Sequence, residues 1–247
     1  MAARKNSSGR NKAQQELTAK LFIEQLSLHQ SKSVAEKNQR FFNDGDIDNK
    51  CLGVRFSVAF NHAKEFSGMN LKEVEKLLDS RFYEARMGAV SIMDFQARGK
   101  KISEQRKKDL FDLYIRRHDR INNWDLVDRS APYVVGGYLF DKPRNILYKL
   151  AKSKNTWERR TAIVSTYYFI RQGDIDDTFK IAEMLLGDKH DLIHKAAGSW
   201  IREAGKKDKQ KLITFLDKYS SIMPRTILRY AIEKLDKKER DFYMNKK

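Results

Sequence analysis

The chain has 247 residues, 40% of them hydrophobic, enough to bury a substantial core without covalent staples. Fifty Lys and Arg against 33 Asp and Glu leave a net charge of +17, which points to a polyanionic partner, nucleic acid before a membrane surface. A single cysteine, Cys51, excludes an intramolecular disulfide framework and a cysteine-based zinc site, and only 3 Pro and 12 Gly are too little turn chemistry for a barrel or sandwich of many short strands.

In chain order, residues 1–14 carry almost no large apolar side chain and read as a disordered basic tail. They lack the apolar core of a signal peptide, and no stretch approaches the roughly 18 apolar residues of a membrane span, so the expected compartment is the cytoplasm. From Glu16 apolar residues recur at helical intervals: Leu17, Leu21, Phe22, Ile23 and Leu26. Leu71, Val74, Leu77 and Leu78 follow a capping Asn70 with Glu73 three residues on, a capping-box spacing. Ser103 precedes a segment with Leu110, Leu113, Tyr114 and Ile115. Asp191 precedes Ile193, Ala196, Ala197, Trp200 and Ile201, and Gly205 closes that segment. No stretch alternates with period two, and residues 15–247 read as one all-α domain.

A longer period lies over these helices. LLDSRFYEARMGAV (77–90), LAKSKNTWERRTAIV (150–164) and LLGDKHDLIHKAAGSW (185–200) share a leucine-rich helix end, a polar connection and a second helix with a basic residue before small apolar ones. Aligned, they place Arg86, Arg160 and Lys195 in one slot; the period adds Arg229, and NNWDLVDRSAP supplies Asp128 between Arg86 and Arg160. Helix pairs repeating at about 35 to 45 residues predict a right-handed solenoid of antiparallel HEAT-like pairs with a concave basic groove. Arg86, Lys195 and Arg229 in that row, with Arg159 and Arg202 beside it, are the expected contacts to a phosphate backbone.

Asp128 breaks the basic row. A carboxylate facing phosphates is repelled, so an acid there suggests chemistry: stabilising a developing cation or positioning a water. An ion pair with Arg129 or Arg160, or a helix cap, is the structural alternative. Trp124 lies one helical turn before Asp128 and shares its face, whereas Trp157 and Trp200 have apolar neighbours that suit a core. Phe41 and Phe42, after Gln39 and Arg40, are candidates to close an aromatic pocket. The five His show no paired ligand spacing, and neither metal nor cofactor is expected.

In NNWDLVDRSAP, NTWERRTAI, HKAAGSWIREAGKKD and MPRTILRYAIEK the sequence resembles the AlkD family of DNA alkylation-repair glycosylases, over about residues 30–235. The resemblance implies a HEAT-like solenoid that cradles duplex DNA and hydrolyses the N-glycosidic bond of N3- and N7-alkylated purines, acting on the sugar without enclosing the base. It implies that Asp128 is the catalytic aspartate, that Trp124 and Trp200 pack on the sugar, and that Arg160 contacts the backbone beside them. Trp157 matches a structural position, and Phe41 or Phe42 stands where a tyrosine is usual. A monomer acting on alkylated double-stranded DNA, away from membranes, is the expectation. Two other classes stay open: a non-catalytic HEAT-like nucleic-acid-binding module, and an adaptor for an acidic protein.

Overall fold

The computed structural model describes residues 16–39 and 49–246; the tail expected over 1–14 and the candidates Phe41 and Phe42 lie outside them. The chain runs through α1 (Ala19–Ser27), α2 (Lys32–Gln39), α3 (Phe56–Glu65), α4 (Leu71–Leu78), α5 (Tyr83–Ala97) and α6 (Glu104–Arg116). A 3-10 turn (His118–Arg120) leads to α7 (Trp124–Ala131), a π-helical stretch (Pro132–Gly136) and α8 (Gly137–Leu139). Then follow α9 (Asn145–Ala151), α10 (Thr156–Arg171), α11 (Asp176–Met184), α12 (Asp191–Gly205), α13 (Lys209–Tyr219), α14 (Arg225–Ala231) and α15 (Lys237–Asn245). Among the described residues there is no strand, only an isolated bridge between Lys50 and Phe82. No described helix is long and apolar enough to cross a membrane.

Local chemistry starts these helices where the sequence places them, with two differences. The Asn70 side chain accepts the Glu73 N–H at 3.0 Å and the Ser103 hydroxyl accepts the Arg106 N–H at 3.2 Å, each satisfying a donor the helix cannot. Glu73, however, closes no capping box: its carboxylate accepts the Ala19 N–H at 2.8 Å and pairs with Lys76, tying α1 to α4. In α12 the cap is His190, whose Nδ1 accepts the Leu192 N–H at 3.2 Å, and Asp191 is the first helical residue.

The helices form an all-α solenoid of two ranks. One rank stacks α3, α5, α7, α10, α12 and α14 in that order, and α4, α6, α9, α11 and α13 pack behind it. The repeat slot is real in this frame: Asp128, Arg160, Lys195 and Arg229 are each the fifth residue of α7, α10, α12 and α14. Arg86 is the fourth residue of α5. The Leu, Ile, Val and Ala positions between slots form one continuous core.

Two glycines are dictated by this packing. Gly53 sits at φ 83°, where an L side chain is strained. Its N–H and those of Leu52 and Val54 converge on the buried Glu84 carboxylate at 2.9–3.3 Å, which pins the loop before α3 against the start of α5. Gly198 is where α12 meets α14: a Cβ there would stand 2.6 Å from the Ile227 carbonyl oxygen and 2.6 Å from the Tyr230 Cβ. Gly198→Ala is expected to cost about 1–3 kcal/mol of stability by overpacking, read as a lower urea midpoint. Gly187→Ala, with open space around it, is expected to change the midpoint little, and equal effects would refute this packing.

Candidate functional site

The Asn123 side chain accepts the Trp124 N–H at 2.7 Å and starts α7, so that Trp124, Asp125 and Asp128 line one cavity of about 480 Å³. Phe56 from α3 and Tyr83 and Met87 from α5 supply the opposite wall. That volume falls in the range of small-ligand pockets, roughly 300–1,000 Å³. Trp124 is 40% exposed, one of few large hydrophobic side chains among the described residues left so open. Pro132, four residues after Asp128, has no N–H to give the Asp128 carbonyl, and the backbone shifts there to the π pattern, in which the Gly137 N–H bonds the Pro132 carbonyl.

Asp128 is held from one side only. Arg160 Nε donates to Oδ1 at 2.8 Å and Nη2 to Oδ2 at 2.7 Å, a fork-on-carboxylate pair with fixed geometry. Arg160 Nη1 also donates to the Leu192 carbonyl, so this guanidinium ties α7, α10 and α12 together. The Asp128 side chain remains 33% exposed while Arg160 is nearly buried, leaving the carboxylate's free edge to the cavity. The arginine expected on a phosphate backbone is thus a strut under the acid. The structural alternative of an ion pair and the reading of a cavity-facing acid hold together.

The other candidates fall differently. Arg86 is wholly buried, donating to the Ser80 carbonyl at 3.0 Å, to Asn49 and to Asn122; it holds loops together and has no surface to offer DNA, which corrects the expectation of a backbone contact. Arg159 pairs through two nitrogens with Asp188 and donates to the Ser153 and Lys154 carbonyls. Arg202 is taken up by Glu203 and Glu233. Lys195 stays accessible, paired at 2.6 Å only with Asp191 on its own helix, and Arg229 is exposed. Trp200 does not line the cavity. Five residues beyond the slot it is turned about 140° around α12, and it stacks on Tyr167 at 4.6 Å between ring centroids. Trp157 packs near the His190 ring.

Several residues at the site were not singled out in the sequence. Asp125 accepts hydrogen bonds from the Tyr83 hydroxyl and, at 2.9 Å, from the Leu126 N–H; burial, with the Asp128 charge a smaller cause, pushes its carboxyl up from the usual range. Its signal was the WDLVD motif itself, one residue after Trp124. Arg129 at the cavity rim lies over the Phe60 and Phe95 rings at 4.3 and 5.0 Å and pairs at 2.8 Å with the buried Asp94, which Arg98 also holds at 2.8 Å. Behind α7 and α10 the Tyr114 hydroxyl and His118 Nε2 meet at the Thr161 hydroxyl, at 2.9 and 2.8 Å, and burial lowers the His118 pKa. Among the described residues no cluster of His, Cys, Asp and Glu is arranged to hold a metal ion.

The sequence model of a family described as DNA alkylation repair enzyme matches residues 22–235. A solved structure described as a predicted DNA alkylation repair enzyme from Enterococcus faecalis is similar with a TM-score of 0.67 at 15% identity, covering 85% of this chain and 98% of that one. At that identity the likeness is one of fold. No curated protein matches this sequence.

The Asp125 environment makes a stability prediction. Its carboxyl keeps a proton to higher pH when folded than in the unfolded chain, so folding takes up protons between the two values. Stability therefore falls as pH rises through that interval, and the whole cost stands above the folded value. Asp125→Asn, which can still accept from Tyr83, is expected to be more stable than the wild type at neutral pH. The two denaturation midpoints are expected to converge as pH falls into the ordinary carboxylate range; a variant that is less stable at neutral pH would count against a costly burial.

Proposed function

Because this chain belongs to the DNA alkylation repair enzyme family, whose name implies a DNA substrate, we propose that it is a monofunctional DNA glycosylase. Its reaction is hydrolysis of the N-glycosidic bond of N3- and N7-alkylated purines in duplex DNA, by a monomer in the cytoplasm without a cofactor. The observation that carries this reading is Asp128, a carboxylate aligned by Arg160 with its free edge on a cavity that also presents the exposed indole of Trp124.

The chemistry follows from the substrate's charge. Alkylation at N3 or N7 makes the purine cationic, so it leaves as a neutral base when the C1′–N bond breaks and takes the bonding electron pair, and no general acid is required. What remains is an oxocarbenium-like sugar. The Asp128 carboxylate stabilises that cation at contact distance and orients a water whose oxygen bonds to C1′ as its proton departs. The Trp124 face offers a second electron-rich surface to the cationic sugar. Arg160 acts through Asp128 as a positioning residue, and Lys195 and Arg229 are the slot cations exposed to meet phosphates. With no lysine assigned as a Schiff-base nucleophile, the product is an abasic site in an unbroken strand.

A second reading has one observation in its favour: an acid braced by a buried arginine is also what a purely structural ion pair looks like, and the protein would then bind DNA without acting on it. Release of 7-methylguanine or 3-methyladenine from methylated duplex DNA separates the two. Asp128→Asn is expected to reduce release by at least about 100-fold while duplex binding persists; equal release by the variant would remove Asp128 from the reaction. Lys195→Ala and Arg229→Ala are each expected to weaken binding and to reduce the slope of log affinity against log salt by about 0.9. Unchanged slopes would place the phosphate contacts elsewhere.

A further inference from the structure

At the far ends of α5 and α10, away from the sugar site, two arginines converge on one tyrosine that glycosidic hydrolysis does not use. We propose that Arg98, Arg171 and Tyr133, with Lys100 beside them, form a clamp for one phosphate of the DNA backbone distant from the reacting sugar. This rests on the reading of duplex DNA as the substrate, and not on the reaction.

The helix faces that meet at the sugar site continue to this place. Arg171 comes eleven residues after Arg160 on α10, and Arg98 eleven after the cavity residue Met87 on α5. Eleven residues make three helical turns and about 16 Å, so each pair shares a face. Between these ends α7 passes into the π-helical stretch, of which Tyr133 is the second residue; such irregular turns recur at functional sites. The cleft there has a volume of about 420 Å³. Arg98, Lys100, Lys107, Tyr133 and Tyr168 line it, with no Asp or Glu among its lining residues.

The Arg98 guanidinium lies on the Tyr133 ring at 3.6 Å from its centroid. Arg171 donates to the Tyr133 hydroxyl at 2.5 Å, and its guanidinium carbon is 5.9 Å from the same centroid. Helix dipoles account for one cation at each C-terminus, Arg98 at the cap of α5 and Arg171 in the last turn of α10. They do not account for two guanidiniums drawn together against their mutual repulsion. Nor does the fold answer the charge. Arg98 gives only its Nε to Asp94, and that buried carboxylate is shared with Arg129. Among the described residues Arg171 and Lys100 pair with no Asp or Glu, and both are exposed.

A phosphodiester fits this arrangement. Its two unesterified oxygens accept from planar guanidinium forks, a pairing for which Arg is better shaped than Lys, and a negative charge between the arginines turns repulsion into attraction. A duplex carries a phosphate about every 3.4 Å of axis on each strand, so one that brings a sugar to Asp128 also brings backbone past a cleft about 16 Å away. The clamp lies off the line of Lys195 and Arg229, and contacts in both places fix the angle of the duplex as well as its position.

Binding of an unmodified duplex to the full-length protein, by fluorescence anisotropy over a range of salt, tests this apart from catalysis. Arg171→Gln is expected to weaken binding and to reduce the slope of log affinity against log salt by about 0.9. Because both arginines serve one phosphate, Arg98→Gln combined with Arg171→Gln is expected to reduce the slope by about 0.9 as well. Lys180→Gln, which removes an exposed cation from α11 in the rank behind, is expected to leave the slope as it is. The clamp is overturned by an unchanged slope in Arg171→Gln, by a fall of about 1.8 in the double variant, by an equal fall in Lys180→Gln, or by a wild type that binds no duplex. Should the double variant misfold by circular dichroism through loss of the Arg98 bond to Asp94, Tyr133→Phe decides: it keeps the ring under Arg98 and releases Arg171. It is expected to weaken duplex binding, and unchanged affinity overturns the clamp. Failure of the glycosylase reading shows separately, as no base released from methylated duplex while the slopes behave as stated.

Discussion

The bidentate pair between Arg160 and Asp128 is the interaction on which the site depends. It joins neighbouring helices of one rank, and the bond from Arg160 to the Leu192 carbonyl extends it to a third, so the acid's position is set by the stacking of repeats and not by a loop. Its electrostatic effect is short in range. A carboxylate backed by a guanidinium is neutral as a unit and presents a dipole whose negative end faces the cavity, and such a field weakens faster with distance than that of a bare charge. Under the proposed chemistry the pair acts where a sugar atom touches it, and does not repel the phosphates that a duplex brings past.

Three other acids at this end of the solenoid show how far a charge must be provided for before it can serve as structure. Glu84 is wholly buried, and its oxygens are met by successive backbone N–H groups of the loop before α3. Asp94 is as deeply buried and is met by Arg98 and Arg129, yet burial still pushes its carboxyl up. Asp125 receives one hydroxyl and one N–H and no cation. Glu84 and Asp94 hold the walls; Asp125, with fewer partners, is the acid whose burial is least compensated.

The fold was legible because its signals are local. Apolar spacing, the caps at Asn70 and Ser103, and the recurrence of a basic residue that falls at the fifth position of α10, α12 and α14 need only the sequence to be seen. Asp128 was legible because it broke that recurrence. Partners brought together across repeats were not legible. Nothing near Arg86 in the sequence announces Asn49 and Asn122, which draw it into the interior and make a slot cation a core strut. The resemblance set Trp200 beside Trp124, but its apolar neighbours suited a packed position, and on α12 it stacks on Tyr167. Asp125 lies inside the most informative motif, but its burial against the Tyr83 hydroxyl comes from α5 and is visible only in the assembled cavity.

The slot row also explains how a chain of charge +17 can present an acid without burying it in cations. Before the cavity the slot's cation, Arg86, is turned inward to loops; at the cavity, Arg160 is turned onto Asp128. Only after it, at Lys195 and Arg229, does the row face solvent. Exposed positive charge along this row is therefore concentrated on α12 and α14, one side of the cavity, while the other side is walled by Phe56, Tyr83 and Met87. In the proposed reaction a duplex drawn to α12 and α14 lays its backbone toward the acid from the basic side and meets a largely aromatic wall beyond it.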